Sequence, residues 1–158
     1  MKFKPGIYYI GDPCYAIQGD DWDQILNETD FFQNEKQTWK GKQIFASDTA
    51  YGDGTYLDQF KNEYPVDAGL IGIMPIEICD FGEGITYKNG KWSDTRGIPN
   101  FTFQPGNVFE FKEEFEVDAL NGKFQFGHVF IDTDPEPDES EYDNDDEYWE
   151  NYDSDEFE

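Results

Sequence analysis

The chain has 158 residues, with 36 acidic and 11 basic side chains and a formal net charge of -25. This length is typical of one domain, and because aromatic residues make up 18% of the chain, rings are expected to fill its core. The charge excludes free DNA, free RNA and anionic membranes as direct partners, since phosphates would be repelled, and favours basic proteins that handle nucleic acid.

Cysteine content and hydropathy place the protein in a reducing compartment. Its two cysteines, Cys14 and Cys79, are too few for a disulfide framework. The N-terminal residues include lysines but no apolar segment of signal-peptide length, and nothing later is long enough to cross a bilayer. We therefore expect a cytoplasmic protein of the host cell, with reduced thiols.

The first 47 residues predict a strand, a helix and a second strand. Gly6–Ile10 is typical of a first strand and is followed by a sharp turn at Gly11–Tyr15. A helix is expected to begin at Asp20, whose side chain can cap it. Thr38–Lys42 is predicted to be a polar connection and Gln43–Ser47 a short strand. Five residues at helical spacing are expected to face the core: Trp22, Ile25, Leu26, Thr29 and Phe32.

The longest apolar run, Val66–Cys79, predicts a buried strand around which the aromatic rings pack. Pro75 is expected to bend or bulge this strand. Gly69 and Gly72 leave one face bare, so another backbone or ring can approach closely.

The second half of the chain predicts hairpins. Asn89-Gly90 and Asn121-Gly122 are the residue pairs that type I′ turns prefer. Val108–Val117 alternates apolar and charged residues, which indicates one strand with a solvated face. On the return strand, Phe124, Phe126, His128 and Phe130 alternate and are expected to share one face.

Together these elements predict a mainly β (α+β) fold. We expect a single twisted antiparallel sheet, or a partly open barrel, with one packed helix. An acidic C-terminal tail is expected to follow this unit.

The composition changes after residue 133. From Asp134 to Glu158 there are 14 acidic residues and no Lys or Arg, which leaves 22 acids and 11 bases, a net charge of -11, in residues 1–133. We predict a globular β-rich domain over 1–133 and an acidic, aromatic-containing tail over 134–158.

Such a tail can serve solubility alone, as acidic runs often do, or it can bind a partner. Its Tyr, Trp and Phe residues favour binding, since aromatic rings are typical of binding hot spots. The residues predicted to contact a partner are Glu141, Tyr142, Asp145, Asp146, Glu147, Tyr148, Trp149, Tyr152, Asp155 and Phe157.

A second possible site lies in the Asp-rich loops. Asp48, Asp53, Asp58 and Asp67 crowd one stretch, and Ca²⁺ binds several carboxylates together with loop carbonyls. Their spacing does not match an EF-hand loop, so turn stabilisation is favoured. Paired carboxylates for glycoside hydrolysis stay open, because the sequence gives no separation to test.

Cys14 and His128 raise the possibility of a thiol nucleophile and its base. The position of His128 between Phe126 and Phe130 favours a core histidine instead. Two Cys and one His fall short of a zinc signature, and no Walker loop, dinucleotide fingerprint or nucleophile elbow is present. No metal or cofactor is predicted, and the alternative pocket consists of Asp12, Cys14, Asp48, Asp53 and Asp67.

Three motifs occur in order: Gly11-Asp12-Pro13-Cys14-Tyr15, Gly52-Asp53-Gly54-Thr55-Tyr56, and Val66-Asp67-Ala68-Gly69 followed by Ile71-Gly72. The set resembles a family of small, uncharacterised proteins of phages and bacteria, over about residues 6–76. This resemblance implies a phage-like origin. It carries no catalytic residues with it, and the acidic tail is not part of it.

Two functions from different classes follow. The first is a non-enzymatic, phage-derived binding protein that mimics a polyanion and inhibits a basic, nucleic-acid-handling or defence protein of the host. The alternative is a small enzyme or cation-binding domain that uses the Asp-rich loops near Cys14.

Overall fold

The computed structural model describes residues 1–34, 37–99 and 103–134 of the chain. The described part is mainly β with one α-helix, and its strands pair antiparallel, as the sequence predicts. These strands divide into a five-stranded sheet, a four-stranded sheet and two separate hairpins, and the sheets are not closed into a barrel. The described helix is too short to cross a membrane.

The strands in chain order are β1 (Lys2–Phe3), β2 (Gly6–Gly11), β3 (Gln37–Trp39), β4 (Lys42–Asp48), β5 (Gly54–Leu57), β6 (Glu63–Val66), β7 (Leu70–Pro75), β8 (Ile85–Lys88), β9 (Lys91–Asp94), β10 (Gly106–Phe111), β11 (Phe115–Leu120), β12 (Lys123–Phe126) and β13 (Val129–Asp132). The helix α1 spans Asp20–Glu28, and short 3-10 turns span Pro13–Tyr15 and Ile76–Ile78. The larger sheets have the strand orders β10-β2-β7-β4-β3 and β1-β11-β12-β13, and the hairpins are β5-β6 and β8-β9.

The strand β7 lies at the centre of the five-stranded sheet, and all six of its residues are buried. A Cβ atom added to Gly72 would lie 2.5 Å from the carbonyl oxygen of Phe45 and 2.8 Å from the Cβ of Ala46. The predicted close approach of another backbone at Gly72 is therefore confirmed.

The extent predicted for this strand, Val66–Cys79, was wrong at both ends. Val66 belongs to β6, and a turn at Asp67–Gly69 separates it from β7, with Gly69 at a φ of +73°. Beyond Pro75 the chain leaves the sheet as the 3-10 turn Ile76–Ile78. The bend expected at Pro75 is thus the end of the strand.

The helix α1 begins at Asp20, as predicted, and packs its apolar stripe on the core. Ile25, Thr29 and Phe32 are buried, although Thr29 and Phe32 lie just beyond the last helical residue. The prediction that Asp20 caps the helix was wrong, because Gly19 occupies the N-cap and no side chain bonds there. Asp20 instead places its carboxylate in the first turn, where the helix dipole favours negative charge.

The connection predicted at Thr38–Lys42 was also wrong, because Gln37–Trp39 forms the edge strand β3. The buried amide of Gln37 explains this pairing. Its Oε1 accepts the backbone N–H of Ala46 at 3.0 Å, and its Nε2 donates to the carbonyl oxygen of Phe32 at 3.1 Å. Gln37 thus ties β3 to both β4 and the end of the helix region.

The strand predicted at Val108–Val117 is in fact two strands in different sheets. β10 belongs to the five-stranded sheet and β11 to the four-stranded sheet, and Lys112–Glu114 carries the chain across. Phe111 and Phe115 flank this crossing, and their rings stack with centroids 3.8 Å apart. Their contact joins the two sheets within one core cluster.

The predicted return strand is likewise divided, into β12 and β13, by a turn at Gly127-His128. The turn resets the alternation, so Val129 and Ile131 point inward while Phe130 is 51% exposed. The core positions predicted for His128 and Phe130 were therefore wrong. Both Asn-Gly hairpins are confirmed, with positive φ at both residues of each turn.

The core has two parts, one on each face of the five-stranded sheet. Tyr8 and Ile10 of β2 point into the aromatic cluster between the two sheets, which includes Phe111 and Phe126. Tyr9 points to the opposite face, into the cluster that lies under α1. Because successive residues of a strand face opposite sides, β2 is buried on both.

Thr133, the residue after β13, is held in place by three hydrogen bonds. The side chain of Thr133 is buried. Its backbone N–H donates to the carbonyl oxygen of Gly122 at 2.9 Å, and its hydroxyl donates to the same oxygen at 2.6 Å. The hydroxyl also accepts the N–H of Ala50 at 2.9 Å. The predicted partner-binding residues all fall in 135–158, outside the described residues.

Candidate functional site

The carboxylate of Asp12 joins the first and third sequence motifs. Its Oδ1 accepts the N–H of Cys14 at 2.9 Å, and its Oδ2 accepts the N–H groups of Asp67 and Ala68, each at 2.7 Å. Asp12 is fully buried, and a buried carboxylate is stable only with such donors. Asp12 therefore holds the turn before Pro13 against the loop that precedes β7.

The second motif joins the same cluster through Thr49. The hydroxyl of Thr49 donates to the carbonyl oxygen of Gly52 at 2.8 Å and accepts the N–H of Gly52 at 2.7 Å. The N–H of Thr49 donates to the carbonyl oxygen of Gly69 at 2.9 Å, and the hydroxyl of Tyr56 donates to Gly52 at 2.8 Å. Three motifs that are distant in sequence thus meet in one group of loops.

Most of the predicted alternative pocket surrounds Tyr15. The pKa of Tyr15 is raised to about 12, mainly by burial and in smaller part by four electrostatic neighbours: Cys14, Asp67, Asp12 and Asp53. Asp12 is hydrogen-bonded to Cys14 and Asp67, and Asp53 acts on the same tyrosine, so the structure brings these four predicted residues together. The fifth, Asp48, is exposed at the end of β4, where it pairs with Leu70.

The thiol of Cys14 is protonated at neutral pH. Burial raises the pKa of Cys14 well above its usual range, and the carboxylate of Asp12 adds to this effect. A nucleophilic cysteine needs the opposite, namely positive neighbours that lower its pKa. The predicted base, His128, is exposed, with its ring centroid 5.6 Å from that of Phe111 and 6.1 Å from that of Phe60.

Asp58 stabilises the loop Asp58–Asn62, in agreement with the turn-stabilising role predicted for the Asp-rich stretch. Its Oδ1 accepts the N–H groups of Phe60 and Asn62 at 2.8 and 3.0 Å, and its Oδ2 accepts the hydroxyl of Tyr64 at 2.7 Å. Burial alone would raise the pKa of Asp58, but the hydrogen bonds from Tyr64, Asn62 and Phe60 outweigh it and lower that pKa.

We expect Asp58→Asn to lower the free energy of unfolding by about 1–3 kcal/mol at pH 7, since the amide loses the charge and one acceptor oxygen. The pKa of Asp58 is lower in the folded chain than in the unfolded chain, where it is about 3.9. The stability that this difference provides is therefore complete above about pH 3.9 and is lost as the pH falls through the folded pKa. The difference between the variant and the original protein should therefore shrink below about pH 4.

Urea unfolding at pH 7 and pH 3 measures this effect. Asp118→Asn is the matched control, since Asp118 is an exposed carboxylate on β11 and its replacement should change little at either pH. A deficit for Asp58→Asn that is equal at the two pH values would contradict the prediction.

No metal centre is formed by the residues that the structure describes. Within 1–34, 37–99 and 103–134, no group of three or more His, Cys, Asp or Glu side chains is arranged to hold a metal ion. The acidic loop residues instead serve local bonding, as the contacts of Asp12 and Asp58 show.

Sequence reasoning did not predict that Asp12 holds the loop at Asp67 and Ala68. A local signal was present for half of this contact, because an Asp directly before a Pro favours a turn closed by its own side chain. The other half is a contact between residues 55 positions apart, for which no local pattern exists.

No family model matches the chain, and no curated protein or solved structure matches it either.

Proposed function

We propose that this protein is a non-enzymatic acidic binding protein of phage origin. Its acidic tail occupies the nucleic-acid-binding groove of a basic host protein and so inhibits a nucleic-acid-handling or defence enzyme in the cytoplasm. The observation that carries this proposal is the distribution of charge and rings: 14 carboxylates within the 25 residues Asp134–Glu158, interleaved with Tyr, Trp and Phe.

This composition suits a groove built for nucleic acid. Carboxylates can replace phosphates opposite the Lys and Arg side chains of such a groove, and aromatic rings can fill the places where bases stack. A purely solubilising tail would need charge alone. The net charge of -11 on residues 1–133 adds to the attraction at long range.

The contacts of the described residues favour this proposal over the alternative of an enzyme or a cation-binding domain. The protonated thiol of Cys14 is a poor nucleophile, and both carboxylate oxygens of Asp12 are engaged by backbone N–H groups. The loops near Cys14 thus act as internal supports.

The proposal predicts different kinetic effects for charge and for rings. Changing Asp145 and Asp146 to Asn and Glu147 to Gln should slow association with the partner, because long-range steering is weakened. Changing Trp149 and Tyr152 to Ala should instead speed dissociation, by about tenfold or more, because buried aromatic anchors act on residence time. DNA or RNA should compete, and salt should weaken the complex.

The measurement begins with affinity capture from a bacterial host, followed by binding kinetics with the captured protein. Tyr51→Ala is the control, since Tyr51 is 72% exposed and lies outside the acidic segment 134–158. If Trp149→Ala and Tyr152→Ala leave dissociation unchanged and nucleic acid does not compete, the tail is not a nucleic-acid mimic.

Truncation gives the second comparison. A chain that ends at Thr133 is expected to unfold cooperatively with its original stability, and it should fail to capture the partner. A chain that ends at Ile131 loses the hydrogen bonds of Thr133 to Gly122 and Ala50, and should be less stable by about 2–3 kcal/mol. Loss of cooperative melting in the longer of the two would show that the tail is part of the fold.

A further inference from the structure

Large apolar side chains are exposed beside β13, the last strand before the acidic tail. Leu57, Phe60 and Phe130 are 45%, 54% and 51% exposed. Leu57 and Phe130 line a surface cavity of about 430 Å³, together with Phe124 and Asp132. We refer to it as the β13 cavity. Exposed apolar groups around a concave surface are typical of a contact site for another molecule.

The backbone of β13 is closed to an added strand. The amide of Gln59 imitates a neighbouring strand, since its Nε2 donates to the carbonyl oxygen of His128 and its Oε1 accepts the N–H of Phe130 at 2.9 Å. Asp58 forms a further bridge to Ile131. A partner at this edge must therefore be bound through side chains and not by strand addition.

The side chains present fit a cation with a flat, apolar surface. Phe130 offers an exposed ring, and Asp132 offers a carboxylate two residues away on the same edge strand. Asp132 pairs with Lys123 at 3.1 Å, but both side chains are more than half exposed, and exposed pairs of this kind are weak and exchange readily. A guanidinium group can stack on an aromatic ring while it bonds to a carboxylate.

Position adds to this fit. The acidic segment begins directly after β13, at Asp134. A basic partner held by that segment is therefore kept at high effective concentration next to the β13 cavity. The charge around the cavity and the charge of the segment have the same sign and would attract the same surface.

We infer that the β13 cavity receives an arginine side chain of the basic partner, stacked on Phe130 and paired with Asp132. This inference rests on the proposed function, because that function supplies the basic partner. It adds a contact on the described part of the chain, with a defined chemistry, to the contacts proposed for the tail.

The test uses the full-length protein and octa-arginine as the probe, with the methyl groups of Leu57 and the backbone amide of Phe130 observed by NMR. Both signals should shift on titration. Phe130→Ala and Asp132→Asn should each weaken the apparent affinity read at Leu57 by about three- to tenfold. Lys123→Gln should strengthen it, because Lys123 no longer competes for Asp132.

Three controls make the outcomes distinct. Tyr51→Ala removes an exposed ring elsewhere and should leave the affinity at Leu57 unchanged. Octa-lysine should bind there less tightly than octa-arginine, because an ammonium group stacks less well on a ring. Thermal melting should show that Phe130→Ala is folded, and Asp132→Asn tests the same cavity without removing a ring.

The inference is overturned if the Leu57 and Phe130 signals stay in place while signals of the acidic segment shift, since the tail alone would then bind the cation. It is also overturned if the Leu57 signals change with protein concentration in the absence of peptide, which would identify a second copy as the occupant. A separate result would contradict the proposed function: an unchanged rate of dissociation from the partner in Trp149→Ala and Tyr152→Ala.

Discussion

Replacing Asp12 by alanine is expected to lower the free energy of unfolding by about 3–4 kcal/mol. The side chain is fully buried and accepts three backbone N–H groups, from Cys14, Asp67 and Ala68. Alanine leaves these donors without their acceptor, and a buried donor without a partner costs about 1–3 kcal/mol. The loss should appear as a lower urea midpoint with an unchanged slope.

Asp12→Asn is the matched variant. Its single amide oxygen can keep the two bonds from Asp67 and Ala68, but its NH₂ group then faces the N–H of Cys14. We therefore expect a loss of about 1–2 kcal/mol, intermediate between the original protein and alanine. Equal stability of all three proteins would show that the Asp12 contacts do not hold the two loops together.

Replacing Phe111 by alanine is expected to lower the free energy of unfolding by about 3–5 kcal/mol, the range for removal of a buried aromatic ring. Phe111 is 6% exposed, stacks on Phe115 at 3.8 Å and meets Tyr8 edge to face at 6.0 Å. Because these contacts join the two larger sheets, the cavity left by alanine lies at the junction between them.

Phe130→Ala is the control for this second prediction, since it removes the same side chain from a half-exposed position. We expect it to cost less than about 1 kcal/mol. Chemical unfolding of the two variants under identical conditions gives the comparison. Similar losses at both positions would contradict the orientation of β13 described above.

Phe111 and Phe130 show how far the spacing of apolar residues predicts this fold, since Phe111 is buried as expected and Phe130 is not. The helix stripe around Ile25 and the Asn-Gly hairpins depend on local spacing and turn chemistry, and both were predicted correctly. The break between β10 and β11 is not visible in the alternation of apolar and charged residues. Phe111 and Phe115 are an even number of residues apart, so the alternation stays in phase across the break. The sequence therefore showed one strand where the structure has two.

At the turn after β12 the opposite occurs. Phe126 and Val129 face the same side although they are an odd number of residues apart, so the alternation changes phase at Gly127. The rings of His128 and Phe130 happened to continue the earlier phase, which hid the turn. Alternation alone cannot locate such a break when aromatic residues stand on both faces.

The candidate sites depend on the sequence to different extents. The acidic and aromatic composition of the tail is read directly from the sequence, and the proposal based on it needs no structure. The state of Cys14 is not, because its raised pKa depends on burial and on Asp12 in the folded chain. The β13 cavity also required the structure, since Leu57 and Phe130 come from distant segments.

The pairing of the first strands with the last ones bears on how the chain folds during synthesis. Lys2 pairs with Glu116 and Gly11 with Gly106, so β1 and one edge of β2 have no partner until β10 and β11 have been made. At about 5–20 residues per second, this delay lasts roughly 5–20 s. Such non-local pairing also slows folding itself. One edge of β2 thus stays unpaired until β10 has been made, and charge repulsion between nascent chains helps to keep such edges apart.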